Sequence, residues 1–219
     1  MSRLTTRFLM ASTPDKVVVL FKPQSLFGGA RTMETMTRQE FDALLDGPMG
    51  QWYAGRWAYY GPVADMVKKL VPSSVLEIGP GKQTIVKHCD VMVKPEDDYW
   101  GKPERDIGKV YTHNATEKPW PVADKAYDLL IGLQVWEHLD NKQTRAFREV
   151  MRVSRQAILS FPFMWNCPKD DENYPEHHLI DKELIADWTL NVKPERVVEV
   201  PRTGEEVSKG PRLIYLWNF

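Results

Sequence analysis

Cysteine is scarce in this chain of 219 residues: Cys89 and Cys167 are the only two. Two cysteines build neither a disulfide framework nor a CxxC metal knuckle, which excludes a small stapled fold of the extracellular kind. Long apolar runs are missing too. Nothing nears the ~20 residues of a membrane span, and "FLMA" close to the amino end is too short for a secretory core. Charge of one sign is not in excess: lysine plus arginine number 29, aspartate plus glutamate 30, for a net −1. A chain so balanced has no long-range pull towards polyanions, and a nucleic-acid acceptor is disfavoured. Repeats and low-complexity tracts are absent as well. The expectation is a soluble protein of a reducing cytoplasm with no membrane partner, its oligomeric state left open.

The composition that remains is globular. Hydrophobic residues make up 42% and charged ones 27%, enough to fill one sizeable core. Residues 1–70 read as an extension or lid without a glycine motif. It holds a β-branched strand, "KVVVLF" (Lys16–Phe21), and a helix with Phe41, Leu44 and Leu45 at helical spacing. An aromatic cluster follows, with Trp52, Tyr53, Trp57, Tyr59 and Tyr60, and then a helix "PVADMVKKL" that Pro62 opens. Two uses of the cluster are open, as core packed on the main domain or as a lid over a substrate.

From residue 71 to 219 the pattern is strand, turn, helix, repeated. "SSVLEI", "DVMV", "KVYTHN", "YDLLIGL" and "QAILSFPF" read as strands, and "NKQTRAFREVMRVS" as an amphipathic crossover helix with Phe147, Val150 and Met151 on one face. Such alternation predicts a doubly wound, mostly parallel α/β sheet covered on both faces. "DKELIADWT" reads as a helix capped by Asp181. "ERVVEVPR" and "PRLIYLWNF", joined across "TGEEVSKG", predict an antiparallel hairpin at the sheet edge.

The stretch that carries chemistry is "VLEIGPGK", Val75 to Lys82. A phosphate-binding P-loop needs a glycine five residues before Gly81 and Ser or Thr after Lys82, but Leu76 and Gln83 stand there. A dinucleotide turn wants a small third residue at position 84, which is Thr84. A carboxylate followed by Gly-x-Gly suits S-adenosylmethionine better: the glycines let backbone approach the ligand, and Glu77 puts a negative charge near its amino group.

With these residues in hand, the segment Ser73 to Phe163 resembles the class I, Rossmann-like S-adenosylmethionine-dependent methyltransferases. "VLEIGPGK" matches the family's first motif, "NATEKPWPVADKAYDLLIGL" the run into the fourth strand, and "QVWEHL" the motif that follows that strand. The resemblance implies that Glu77, Gly79, Pro80 and Gly81 lie against the methionine portion of S-adenosylmethionine, which leaves as S-adenosylhomocysteine. It implies that Asn114, with Ala115 beside it, reads the adenine edge, and that Gln134 borders the amino-acid end. Asn114 stands where the family commonly has aspartate. The acid that holds the ribose in the family is displaced here; Glu96 is the residue assigned to it.

In-line methyl transfer needs alignment first, and a hydroxyl acceptor also needs somewhere to lose its proton. Histidine suits that near neutral pH, and His138, His177 and His178 are the candidates, the last two with Glu176 and Asp181 nearby. No metal is expected, because HxxxH and HxH spacings are lacking and adjacent histidines are awkward for one ion. Phe163, Met164 and Trp165 predict an apolar wall over the acceptor. The function expected is O-methylation of a small hydroxylated molecule, a sugar or secondary metabolite. A peptide or protein acceptor stays open. So does a non-catalytic binding protein that keeps the fold, with a dinucleotide reductase a distant third.

Overall fold

A computed structural model of the chain describes residues 33–95, 103, 106–167, 177–202 and 208–219. The strand expected at 16–21, Glu96, Glu176 and most of the "TGEEVSKG" turn lie outside the described residues. Seven strands, β1 (Val75–Ile78), β2 (Asp90–Val93), β3 (Val110–Thr112), β4 (Tyr127–Leu133), β5 (Ser154–Pro162), β6 (Arg196–Val200) and β7 (Arg212–Asn218), form one sheet. Their order is β3-β2-β1-β4-β5-β7-β6. The first five run parallel, while β7 enters between β5 and β6 antiparallel to both. This is the mostly parallel sheet with an antiparallel edge hairpin that the strand pattern predicts.

The central strands are apolar without alternation, as burial on both faces demands. All four residues of β1 are buried. Successive side chains point to opposite faces, so the sheet feeds two cores. Leu76, Ile78, Leu130 and Leu159 meet Phe147 and Val150 of α4 (Gln143–Val153) and Ile185 of α5 (Lys182–Trp188). Val75, Val91, Leu129, Ile131 and Ile158 meet Phe41, Tyr59, Tyr60, Val63 and Val67 from helices upstream of the sheet.

Those helices are α1 (Arg38–Leu45), α2 (Gly50–Tyr53) and α3 (Trp57–Leu70). Thr37 and Glu40 start α1 with a reciprocal capping box. α3 begins earlier than the proline suggests. Pro62 lies inside the helix rather than in its first turn, because Tyr59 and Tyr60 are buried and draw the preceding residues into helix. Phe41 packs against Tyr53, Trp57 and Tyr60 at ring separations of 6.1, 5.2 and 5.8 Å. Tyr53, Tyr59 and Tyr60 are thus part of the core that the strands share, while Trp52 and Trp57 are half-buried against it.

Regular strand–helix alternation does not extend to the first half of the sheet. Residues 79–89 join β1 to β2 without a helix. The stretch is too short for a helix once Gly79, Pro80 and Gly81 have made their turn, so α3 covers this face instead. The connection is stitched to upstream backbone: Met36 N–H donates to the Ile85 carbonyl at 2.8 Å and Lys87 N–H to that of Glu34 at 2.8 Å. Among the described residues no helix is long and apolar enough to cross a membrane.

Candidate functional site

In an open parallel sheet, ligands bind beyond the carboxyl ends of the strands, where the strand order reverses. Here the order reverses between β1 and β4, the strands that end in the glycine turn and in "QVWEHL". Gly79 and Gly81 both take the left-handed backbone, at φ +57° and +67°. A Cβ on Gly79 would stand 3.0 Å from Val135 Cγ2. Glycine suits both that close approach and the left-handed backbone, and Gly79 lies exposed at the end of a strand that is otherwise buried. Bare backbone at the sheet's reversal point suits a ligand that must come close to the main chain. Pro80 is half-buried between the two glycines.

Glu77 is used differently from a charge that faces a ligand's amino group. Its side chain is buried, and its two oxygens accept from the amides of Ile85 at 3.0 Å and Val86 at 2.7 Å. Burial pushes its carboxyl up to about 7, although both amides and the Cys89 thiol oppose the shift by bonding the ionised form. Glu77 therefore shapes the site through the backbone it holds.

Asn114 follows β3 and forms an Asx turn: its Oδ1 accepts from Thr116 N–H at 3.0 Å and Thr116 Oγ1 at 2.9 Å. Thr116 thus takes the carbonyl, the acceptor end of the Asn114 amide. Ala115 is half-buried, its carbonyl accepting from Trp120 Nε1 at 3.1 Å. Gln134 has φ +55°, and its amide and its Nε2 donate to Ser160 Oγ at 3.0 and 3.1 Å. Ser160, fully buried on β5, was not among the expected residues; nothing distinguishes one serine in an apolar strand.

His138 ends a short 3₁₀ turn, Trp136–His138, that follows β4 directly. His177 comes from the segment between β5 and α5. Two backbone bonds clamp the base of that segment, Met164 N–H to the Ile180 carbonyl at 2.9 Å and Leu179 N–H to that of Trp165 at 2.8 Å. His178 Nδ1 donates to the Cys167 carbonyl at 2.5 Å, which makes His178 a brace of the loop. The clamp brings His177 Nε2 to 3.4 Å from His138 Nε2 and sets the Trp165 ring edge-on to His177 at 5.1 Å. Trp165 thus stands beside the histidine pair, whereas Met164 is exposed.

Glu137 completes the group. It is buried, and one ligand-capable atom from each of Glu137, His138 and His177 lies within 4.8 Å of the others. Sequence spacing argues against a metal only for residues on one element; here the third residue arrives from 39 positions away. At the other flank Trp52, from α2, lies 3.6 Å from where a Gly81 Cβ would be, with the Arg56 guanidinium 3.5 Å over its ring. Buried Arg212, at the start of β7, stands 4.5 Å over Tyr59. A cavity of about 400 Å³ lined by Ser73, Asp90 and Tyr127 sits at the opposite, amino ends of the strands, away from these groups.

No family model and no curated protein sequence matches this chain. Solved structures do match. An S-adenosylmethionine-dependent methyltransferase from Thermotoga maritima aligns with a TM-score of 0.54 and 16% identity over 81% of this chain and 97% of its own. Another from Mesorhizobium loti gives 0.53 and 14% over 78% and 98%. The N-methyltransferase NodS from Bradyrhizobium japonicum gives 0.52 and 12% over 72% and 94%. At such identities the likeness is one of fold, and the chain has the class I, Rossmann-like methyltransferase fold. The acceptor is not set by that fold.

Proposed function

We propose that the chain is an S-adenosylmethionine-dependent methyltransferase that acts on the hydroxyl of a small molecule, a sugar or secondary metabolite. The observation that carries the reading is the exposed Gly79 turn at the sheet's reversal point, packed on Val135 and followed one turn later by the His138–His177 pair. The backbone of Gly79, Pro80 and Gly81 holds the donor's methionine end beside Gln134, Asn114 NH₂ and Ala115 border its adenine, and Glu96 is assigned to the ribose. S-adenosylmethionine supplies a methyl on a sulfonium: the acceptor's O–C bond forms as the C–S bond breaks, and its electron pair stays on sulfur in a neutral thioether. The chain's own work is to align the acceptor oxygen under the Trp165 wall and to let its proton go at the histidine pair.

Calorimetric titration with S-adenosylhomocysteine tests the donor reading, with Gly79→Arg as the non-binding control. No heat at high micromolar ligand sinks it; binding without turnover on any hydroxylated acceptor favours a binding protein that keeps the fold. Methyl transfer by His138→Ala and His177→Ala across pH tests the proton's exit, and a full rate in both overturns it. A peptide acceptor in place of a small molecule is the other outcome of the acceptor screen.

A further inference from the structure

We infer that Glu137, His138 and His177 form a binding site for a divalent transition-metal ion, and that this ion holds the acceptor hydroxyl. The inference rests on the methyltransferase reading for its use, but the site itself stands on geometry. The fold brings two imidazoles and a carboxylate from separate segments to within 4.8 Å of one another. Two nitrogens each about 2.1 Å from one ion in tetrahedral array stand about 3.4 Å apart. The Nε2 atoms of His138 and His177 are 3.4 Å apart. Two imidazoles in direct hydrogen-bonded contact would stand closer, near 3.0 Å.

Burial supports an ion with an open side. Glu137 is 2% exposed and His177 7%, while His138 lies at the exposed rim. A carboxylate this deep beside two imidazoles is well compensated by a cation. Three protein ligands are the number seen where a metal does chemistry, since a position stays open for a fourth oxygen. Two imidazoles and one carboxylate suit zinc, manganese, iron or cobalt, whereas magnesium and calcium prefer all-oxygen ligands. His177 is held in place for ligation, since the clamp from Met164 and Trp165 to Leu179 and Ile180 fixes its backbone and the Trp165 edge fixes its ring.

An acceptor hydroxyl in the open position loses its proton to water near neutral pH, because the ion stabilises the alkoxide. His138 and His177 then act as ligands rather than as bases. The ion also anchors the oxygen, which gives the alignment that an in-line displacement needs.

The test uses the untagged full chain, stripped with a chelator and titrated with Co²⁺, whose visible absorption reports nitrogen and oxygen ligands. We expect saturation at about one cobalt per chain, as for a single three-ligand site. His138→Gln, at an exposed position that should not disturb folding, should weaken binding on the order of tenfold or more. His177→Ala and Glu137→Gln should do the same, with circular dichroism and thermal melting checking their folds. His88→Asn, remote from the cluster in sequence and exposed, should titrate as the unaltered chain does. Absence of stoichiometric cobalt binding overturns the inference, as does an unchanged affinity and spectrum in His138→Gln. S-adenosylhomocysteine is titrated into the same samples. Its binding without cobalt binding removes the ion and leaves the donor reading intact, while cobalt binding without it keeps the ion and removes the donor.

Discussion

Glu77 Oε1, at the end of β1, accepts the amide of Val86 at 2.7 Å, and Oε2 accepts that of Ile85 at 3.0 Å. In this sheet a helix does not follow the glycine turn, so the turn has no helix to anchor it. The buried carboxylate takes over that work by closing residues 79–86 into a ring around its own side chain.

That arrangement predicts a pH signature. Burial raises the Glu77 carboxyl from 4.5 to about 7, against the pull of the Val86 and Ile85 amides and Cys89. The folded state therefore holds the proton more tightly than the unfolded one does. The stability it contributes is full below pH 4.5 and is lost as pH rises through about 7, by up to roughly 3 kcal/mol. Glu77→Gln cannot titrate, and its single carbonyl leaves one of the two amides without an acceptor, which costs about 1–3 kcal/mol. Urea denaturation should find the variant clearly less stable at pH 5, with the gap narrowing or reversing at pH 8. An equal gap at both values would mean that Glu77 does not titrate in this range.

Gly79 and Val135 give the second prediction. An alanine at 79 must adopt the left-handed backbone, at about 1–2 kcal/mol, and its Cβ meets Val135 Cγ2 at 3.0 Å. The strain passes into the turn that carries Gln134 and His138. Gly79→Ala should lower S-adenosylhomocysteine affinity about tenfold, or about 1.4 kcal/mol. Adding Val135→Ala should recover part of that loss by relieving the contact but not the dihedral. Full affinity in the single variant would place the donor elsewhere.

How far these features can be read from the sequence depends on their range. β2 and β4 are found at their observed limits because their apolar runs are bounded by turn residues, and the Asp181 cap is found because capping is local. Pro62 misleads, since local preference yields to the burial of Tyr59 and Tyr60. His138 and His177 are recognisable one by one, but their 3.4 Å approach depends on the Met164–Ile180 clamp, and no spacing rule encodes that. Glu77 is recognisable as an acid at a strand end; that its oxygens meet the amides of Ile85 and Val86 is a tertiary fact. Trp52 is visible only as one aromatic residue among several, and its place against Gly81 is a tertiary fact.

The run into β4 owes its position to Arg152. Its Nη1 donates to the Val122 carbonyl at 2.7 Å and to Asp124 at 2.7 Å; its Nη2 donates to the Trp120 carbonyl at 3.1 Å and to Glu149 at 2.6 Å. Glu149 in turn accepts the Trp120 amide at 2.8 Å. Arg152→Ala should destabilise the fold by about 2–4 kcal/mol, because it leaves a buried carboxylate and two carbonyls short of donors. Lysine cannot reproduce the planar fork, so Arg152→Lys should recover little. A denaturation midpoint unchanged in Arg152→Ala would show that water replaces the guanidinium.

Trp52 supplies the last prediction, and it separates a roof over the donor turn from mere packing. The ring lies 3.6 Å from where a Gly81 Cβ would be, packs edge-on to Tyr53 at 4.7 Å, and carries the Arg56 guanidinium 3.5 Å over its face, a contact of about 0.5–2 kcal/mol. Arg56 also donates to the Trp52 carbonyl at 2.6 Å and to Tyr59 Oη at 2.6 Å, which holds the ring over the turn. Trp52→Ala opens the space beside Gly81 to water. It should weaken S-adenosylhomocysteine binding severalfold and remove most of the change in tryptophan fluorescence on binding. Trp52→Phe keeps an aromatic face and should restore the affinity but not the fluorescence. If alanine lowers stability yet leaves the ligand affinity unchanged, Trp52 belongs to the core alone, and the donor turn has no roof from the amino-terminal helices.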